Sequence, residues 1–240
     1  EMRMTLDNAI GIHHVDTVWD YGYTGEGISI AIIDTGIDPL HVGLNDMDDD
    51  PLTNDPKVVA FYDALDDSGD NGDGTTEAYD DQGHGSHCAG ISAGTGAVEE
   101  GPMSDGSKPY RGVAPDAWLV GVKVLDSGGS GSFAEVMRGM EWTIDNQIKY
   151  NIRAASMSLG GVWLVELTQE QEERITHLAN EMVAAGISLM IAAGNSAAYG
   201  TIGTPGAAKD VITVGATEDS KDLAVYSSKG PTHEGQIKPN

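Results

Sequence analysis

Cysteine is almost missing from this sequence: Cys88 is the single one among 240 residues. One thiol excludes an internal disulfide framework and a cysteine-rich zinc site, and it fits either redox compartment. Cationic side chains are scarce too, with 13 Lys and Arg against 38 Asp and Glu, for a formal net charge of -25. A surface of that sign repels phosphate, so neither nucleic acid nor an anionic membrane is expected as a partner; the acid can instead serve calcium or salty solvent. No uninterrupted apolar run of about 18 residues occurs, so no transmembrane helix is expected, and no basic segment followed by an apolar one opens the chain. The first residue is Glu1 rather than Met, as in a chain trimmed at its start. No internal repeat is visible.

What is present, 40% apolar residues and 32 glycines over this length, suits one well-filled domain. Apolar, β-prone runs at 28–33, 57–62, 117–124, 154–159, 187–192 and 211–214 predict strands. Most are apolar on both faces, as buried parallel strands are. Ser132 with Glu135 and Thr168 with Gln171 are capping boxes that open two helices. The first carries the stripe Phe133, Val136, Met137, Met140, Ile144 and Ile148; the second runs through Ile175, Leu178, Met182 and Val183 to a stop at Gly186. This alternation predicts an α/β fold with a doubly wound, mostly parallel sheet and helices on both faces. Segments 45–56, 66–81 and 94–112 lack periodicity and read as surface loops.

Three short motifs carry chemistry. In Ile33-Asp34-Thr35-Gly36 an acid ends a strand that is otherwise apolar, where a doubly wound sheet opens its ligand crevice. Alone, that Asp would read as a strand-end cap. In Gly83-His84-Gly85-Ser86-His87-Cys88-Ala89-Gly90 a glycine-flanked His starts a helix of small residues that can lie close to the sheet. A helical His is ordinarily structural, and His84 with His87 has no third partner at zinc spacing. In Ala192-Ala193-Gly194-Asn195 an amide follows an apolar strand, where an Asn often does no more than start a turn. Together on one sheet edge they offer a carboxylate, an imidazole and an amide N–H for developing negative charge.

With Ser158-Leu159-Gly160-Gly161 and Tyr226-Ser227-Ser228-Lys229-Gly230-Pro231, these motifs in this order resemble the subtilisin-like serine proteases. The resemblance spans nearly the whole chain. It implies that Asp34 orients His84, that His84 is the general base and then acid, and that Asn195 lines the oxyanion hole. It further implies that an extended peptide lies between Gly129-Ser130-Gly131 and Ser158-Leu159-Gly160, with Gly194 beside Asn195. The implied partners are a protein or peptide substrate, and a propeptide or proteinaceous inhibitor; the implied place of action is extracellular, with the cytoplasm as the alternative.

Departures from the family pattern are specific. Ser86 stands where Thr is usual, and both carry a hydroxyl. Cys88 stands where many relatives have Val and is expected to be buried and inert. Gly43 falls where the strong calcium site of the family has an Asp, so calcium is expected in other acidic loops. The first offers Asp46, Asp48, Asp49, Asp50, Asn54 and Asp55; the second offers Asp66, Asp67, Asp70, Asn71, Asp73 and Asp80. Neither has EF-hand spacing, and a solvated acidic face is the competing reading. The nucleophile segment Gly-Thr-Ser-Met-Ala is not among residues 1–240. The chain is therefore expected to be the amino-terminal part of the peptidase domain, inactive by itself and partnered by a carboxy-terminal fragment of the same enzyme. A peptide-binding pseudoprotease is the alternative. An aspartic protease, suggested by Asp-Thr-Gly, would need a second such motif on a β-rich scaffold.

Overall fold

Among the described residues, short runs of Ile, Val and Ala build a six-stranded sheet. The computed structural model describes residues 6–50, 52–53, 55–66, 74, 77–97, 110–160 and 168–240. In chain order the elements are α1 Leu6–Ile12, α2 Val15–Asp20, β1 Ser29–Asp34, β2 Val58–Asp63, α3 His84–Ala93, β3 Trp118–Lys123, α4 Phe133–Asp145, β4 Ile152–Met157, α5 Gln169–Ala184, β5 Ser188–Ala192 and β6 Ile212–Val214. The sheet order is β2-β3-β1-β4-β5-β6, and every neighbouring pair is parallel. This is the expected doubly wound α/β fold.

The two-residue period of a strand divides β1 between two cores. Ala31 and Ile33 join Val120, Val122, Met140 and Ile175 on the α4 and α5 side. Ile30 and Ile32 join Ala89 and Ala93 of α3 on the other. Small residues set how close the helices come: a Cβ on Gly139 of α4 would lie 2.4 Å from Val124 Cγ1. Both capping boxes form, Ser132 with Glu135 and Thr168 with Gln171. Chain order reverses at β1, whose neighbours are β3 and β4, so the crevice opens at the carboxyl ends of these strands.

Several boundaries differ from expectation. Helix α4 ends at Asp145 with Asn146 as its C-cap, and Ile148 is 88% exposed rather than part of the apolar stripe. Strand β4 starts at Ile152, two residues early, because Arg153 interrupts the apolar run; Ser158 and Leu159 are thereby left in the loop that follows. Helices α1 and α2 carry no cap signal in the sequence; His14, at the N-cap of α2, makes no side-chain cap bond. Among the described residues no helix is long and apolar enough to cross a membrane.

Candidate active site

Asp34 closes β1 and is wholly buried. Its Oδ1 accepts the backbone N–H of Thr35 at 2.7 Å and lies 2.7 Å from His84 Nδ1. A carboxylate has no proton to give, so Nδ1–H is the donor and Nε2 is the nitrogen left for chemistry. The His84 side chain is 44% exposed, facing the crevice from the first position of α3. Two glycines make this approach possible. A Cβ on Gly85 would fall 2.1 Å from the carbonyl oxygen of Gly36, and one on Gly36, at φ +123°, 2.1 Å from that of Tyr79.

Asp80 ties the two motifs together. Its Oδ1 accepts the Thr35 hydroxyl and the N–H groups of Gln82 and Gly83, at 2.8 to 3.1 Å. Its Oδ2 accepts both the N–H and the hydroxyl of Ser86. Partial burial pushes its pKa up, but the N–H groups of Gly83, Ser86 and Gln82 and the Ser86 hydroxyl outweigh that and bring it down to about 2. Asp80 is thus engaged with the first turn of α3, accepting from Gly83, its N-cap residue, and from Ser86. Ser86 Oγ also accepts the N–H of Asp38, so the hydroxyl shared by Ser and Thr is in use. Buried Lys123 donates to the carbonyls of Thr35 and Leu125 and to Asp81 Oδ1, holding the same turn from below. Sequence reasoning missed Asp80 and Lys123 as parts of this corner; the available signals were an Asp four residues before His84 and a lone Lys ending an apolar strand.

An open cleft of about 950 Å³ is lined by His84, by Gly129 to Gly131, by Ser158 to Gly160, and by Gly194 and Asn195. All the expected binding positions therefore share one space. The turn bearing Asn195 is held by Ser228, whose N–H donates to the Gly194 carbonyl and whose Oγ accepts the Ser196 N–H. Gly131 has a reason of its own: a Cβ there would sit 2.1 Å from the Val124 carbonyl oxygen, so this glycine serves local packing. A Cβ on Gly160 would meet the Thr204 carbonyl oxygen at 4.0 Å, an ordinary contact. Among the described residues no serine hydroxyl hydrogen-bonds the His84 ring, and Ser227 and Ser228 are fully buried.

Cys88 is half-buried one helical turn beyond His84, with Sγ 3.9 Å from Nδ1. Burial pushes the thiol up to about 11; the Ser158 side chain lowers it, and the charge of Asp34 raises it further. In the first acidic loop, ligand atoms of Asp46, Asp48 and Asp55 lie within 4.8 Å of one another. Asp55 Oδ1 is buried without a hydrogen-bond partner, an oxygen free to meet a hard cation. Asp49 instead accepts the Thr95 hydroxyl at 2.7 Å, and Asp50 accepts the Leu52 N–H. In the second loop Asp66 is described, whereas Asp67, Asp70, Asn71 and Asp73, like Asn54 in the first, lie outside the described residues.

The geometry has counterparts among known proteins. The Subtilase family profile matches residues 25–240. The chain belongs to the subtilase family. It is 38% identical over 257 residues to the serine protease AprX of Bacillus subtilis strain 168, covering all of this chain and 51% of AprX. To the minor extracellular protease Epr of the same strain it is 32% identical over 218 residues, covering 90% of this chain and 27% of Epr. The crystal structure of a cold-adapted subtilisin-like serine proteinase superposes with a TM-score of 0.64 at 28% identity, over 87% of this chain and 62% of that one. The chain thus spans about half the length of AprX.

Proposed function

We propose that this chain carries the base, the orienting acid and the oxyanion amide of a serine endopeptidase. The observation that carries the reading is the 2.7 Å contact between His84 Nδ1 and Asp34 Oδ1 beside the cleft that Asn195 also lines. Nε2 of His84 takes the proton of a serine hydroxyl as that oxygen attacks the scissile carbonyl, then passes it to the leaving amine. Asp34 keeps the proton on Nδ1 and stabilises the imidazolium. The Asn195 amide donates to the oxygen on which negative charge develops. An extended stretch of substrate lies between the 129–131 and 158–160 edges, bound through its main chain. The serine is that of a Gly-Thr-Ser-Met-Ala segment outside residues 1–240, contributed by the carboxy-terminal part of the same enzyme. A propeptide or proteinaceous inhibitor would occupy the same edges. Action outside the cell goes with this reading and with the name of the Epr relative.

Calcium belongs to the proposal as a structural ion, held by Asp46, Asp48 and Asp55, whose carboxylates otherwise repel one another. When bound it supplies charge neutralisation and a fixed loop.

The test is serine-reagent labelling together with peptide cleavage. Residues 1–240 alone are expected to show neither, and activity is expected when the segment bearing the serine is supplied. Labelling of residues 1–240 alone would overturn the assignment of the nucleophile. An inert but peptide-binding complete protein would favour the pseudoprotease reading.

A further inference from the structure

Lys123 ends β3 with an ammonium in the interior, where a charge is costly unless its donors are met. The side chain is 1% exposed, and all three N–H donors are used: on the Thr35 carbonyl at 2.6 Å, on Asp81 Oδ1 at 2.7 Å and on the Leu125 carbonyl at 2.8 Å. We propose that Lys123 is a positioning residue that ties the peptide-binding edge to the proton relay, so that one buried ammonium sets both substrate affinity and turnover. This role rests on the serine endopeptidase reading above, which makes no use of Lys123.

Each bond leads to a different part of the site. Thr35 follows Asp34; its N–H donates to Asp34 Oδ1 and its hydroxyl to Asp80, so the Lys123 bond to its carbonyl fixes it at a third point. The carbonyl of Asp34 itself accepts the N–H groups of Val124 and Leu125. Asp81 stands three residues before His84, and its bond to Lys123 holds the turn that enters α3. Leu125 is the root of the 129–131 edge. Directly after it Asp126 folds the chain back, its Oδ1 accepting the N–H groups of Gly128 and Ser130 while its own N–H donates to the Ser130 carbonyl. The N–H groups of Ser130 and Gly128 hold the Asp126 carboxyl below its ordinary range, and the charge of Lys123 adds to them, so the ammonium is felt in the edge turn as well.

Stability alone does not account for a lysine here. A buried ion pair adds little over apolar packing of the same volume, and a methionine would fill this space without a charge to desolvate. What the ammonium adds is direction: three short bonds set the turn after β1, the turn before α3 and the edge after β3 relative to one another. A misplacement of about 1 Å in such a constellation costs on the order of 10²-fold in turnover.

The test compares Lys123→Met with the wild type in the complete protein, serine segment included, on two substrates: a peptide long enough to lie along the 129–131 edge, and a short acyl ester that does not reach it. Titrating active sites with a serine reagent takes any loss of folded protein out of the rates. Per active site, kcat is expected to fall about 100-fold on both substrates. KM is expected to rise about tenfold on the peptide and to stay unchanged on the ester. Asp81→Asn keeps the ammonium and changes only its half-exposed partner, so it serves if Lys123→Met does not fold; the same pattern is expected at about a third to a tenth of the size. Unchanged kcat and KM per active site overturn the role, and so does a KM that rises equally on both substrates. A fall in kcat with the peptide KM unchanged overturns the tie to the edge. If the complete wild type cleaves neither substrate, the peptidase reading fails by itself, and binding of a fluorescent form of the same peptide still reads the tie: Kd is expected to weaken about tenfold in Lys123→Met, and an equal Kd overturns it.

Discussion

Two groups of aspartates in this chain are built in opposite ways. At the end of β1, Asp34 and Asp80 meet donors: a ring N–H, backbone N–H groups and two hydroxyls point at them from β1, α3 and the turn between. In the 46–55 loop, Asp46 accepts the N–H groups of Asp48 and Asp49, Asp48 accepts the N–H of Asp50 and the Thr53 hydroxyl, and yet the three carboxylates of Asp46, Asp48 and Asp55 crowd within 4.8 Å, with Asp55 Oδ1 left without a donor. Partial burial, a hydrogen bond shared with the Asp48 carboxyl and the charge of Asp55 hold the Asp46 carboxyl above its ordinary range, against the N–H groups of Asp48 and Asp49. The difference lies in what crowds the carboxylates: an imidazole and a helix start at the first site, other carboxylates at the second.

The comparison breaks most visibly at Asp34. In the protein complete with its serine, Asp34→Asn keeps the shape and loses the acceptor charge, and kcat is expected to fall about 10⁴-fold, the size such losses reach in serine proteases. A steady-state assay showing less than a tenfold loss would contradict the pairing. Next comes Asn195→Leu, expected to lower kcat by roughly 10²–10³ with KM nearly unchanged, a magnitude taken from subtilisin itself. A rise in KM at constant kcat would place Asn195 in ground-state binding instead.

Asp80 sharpens the contrast, because it acts only through what it holds. Asp80→Asn keeps the size but weakens the hold on the first turn of α3, and kcat is expected to drop by about 10- to 100-fold as His84 loses its placement, with KM little changed. The same variant has a pH signature. The folded pKa of Asp80 is about 2, below the ordinary carboxyl range, so its contribution is complete above about pH 4 and is lost as pH falls towards 2. That contribution is on the order of 1 kcal/mol once solvent screening is allowed for. Urea unfolding at a series of pH values should show the acid-side decline of the wild type made shallower in Asp80→Asn; identical slopes would deny these contacts their charge.

The smallest expected effect belongs to the acidic loop. Calcium at about 100 times its Kd is expected to raise Tm by roughly 5–10 °C, and a chelator to reverse this at fixed ionic strength. Asp46→Asn should invert in sign with conditions: it relieves repulsion in chelator and removes a ligand in calcium. A Tm that ignores calcium in both proteins would leave the loop as a solvated acidic face.

Much of this was legible beforehand because the signals are local. Apolar runs show buried strands, capping boxes show where α4 and α5 begin, and three motifs in order show the crevice residues. What escaped is non-local. Asp80 looks like any other Asp of an acid-rich loop until the fold carries it to Thr35 and Ser86. Gly131 looks like a substrate-facing glycine until the Val124 carbonyl is found beneath it. Ile148 continues a stripe on paper after the helix has ended.

The sequence by itself determined the α/β alternation, the order of the strands along the chain and the residue types that do chemistry, since periodicity, caps and side-chain reactivity are properties of neighbours in the chain. Only the tertiary structure decided which carboxylates would meet an imidazole and a helix start and which would crowd one another. It alone brought Cys88 to 3.9 Å from His84 Nδ1. Those outcomes depend on how closely α3 packs on β1 and on which turn covers the strand end, and such distances are set by close packing between segments some 50 residues apart.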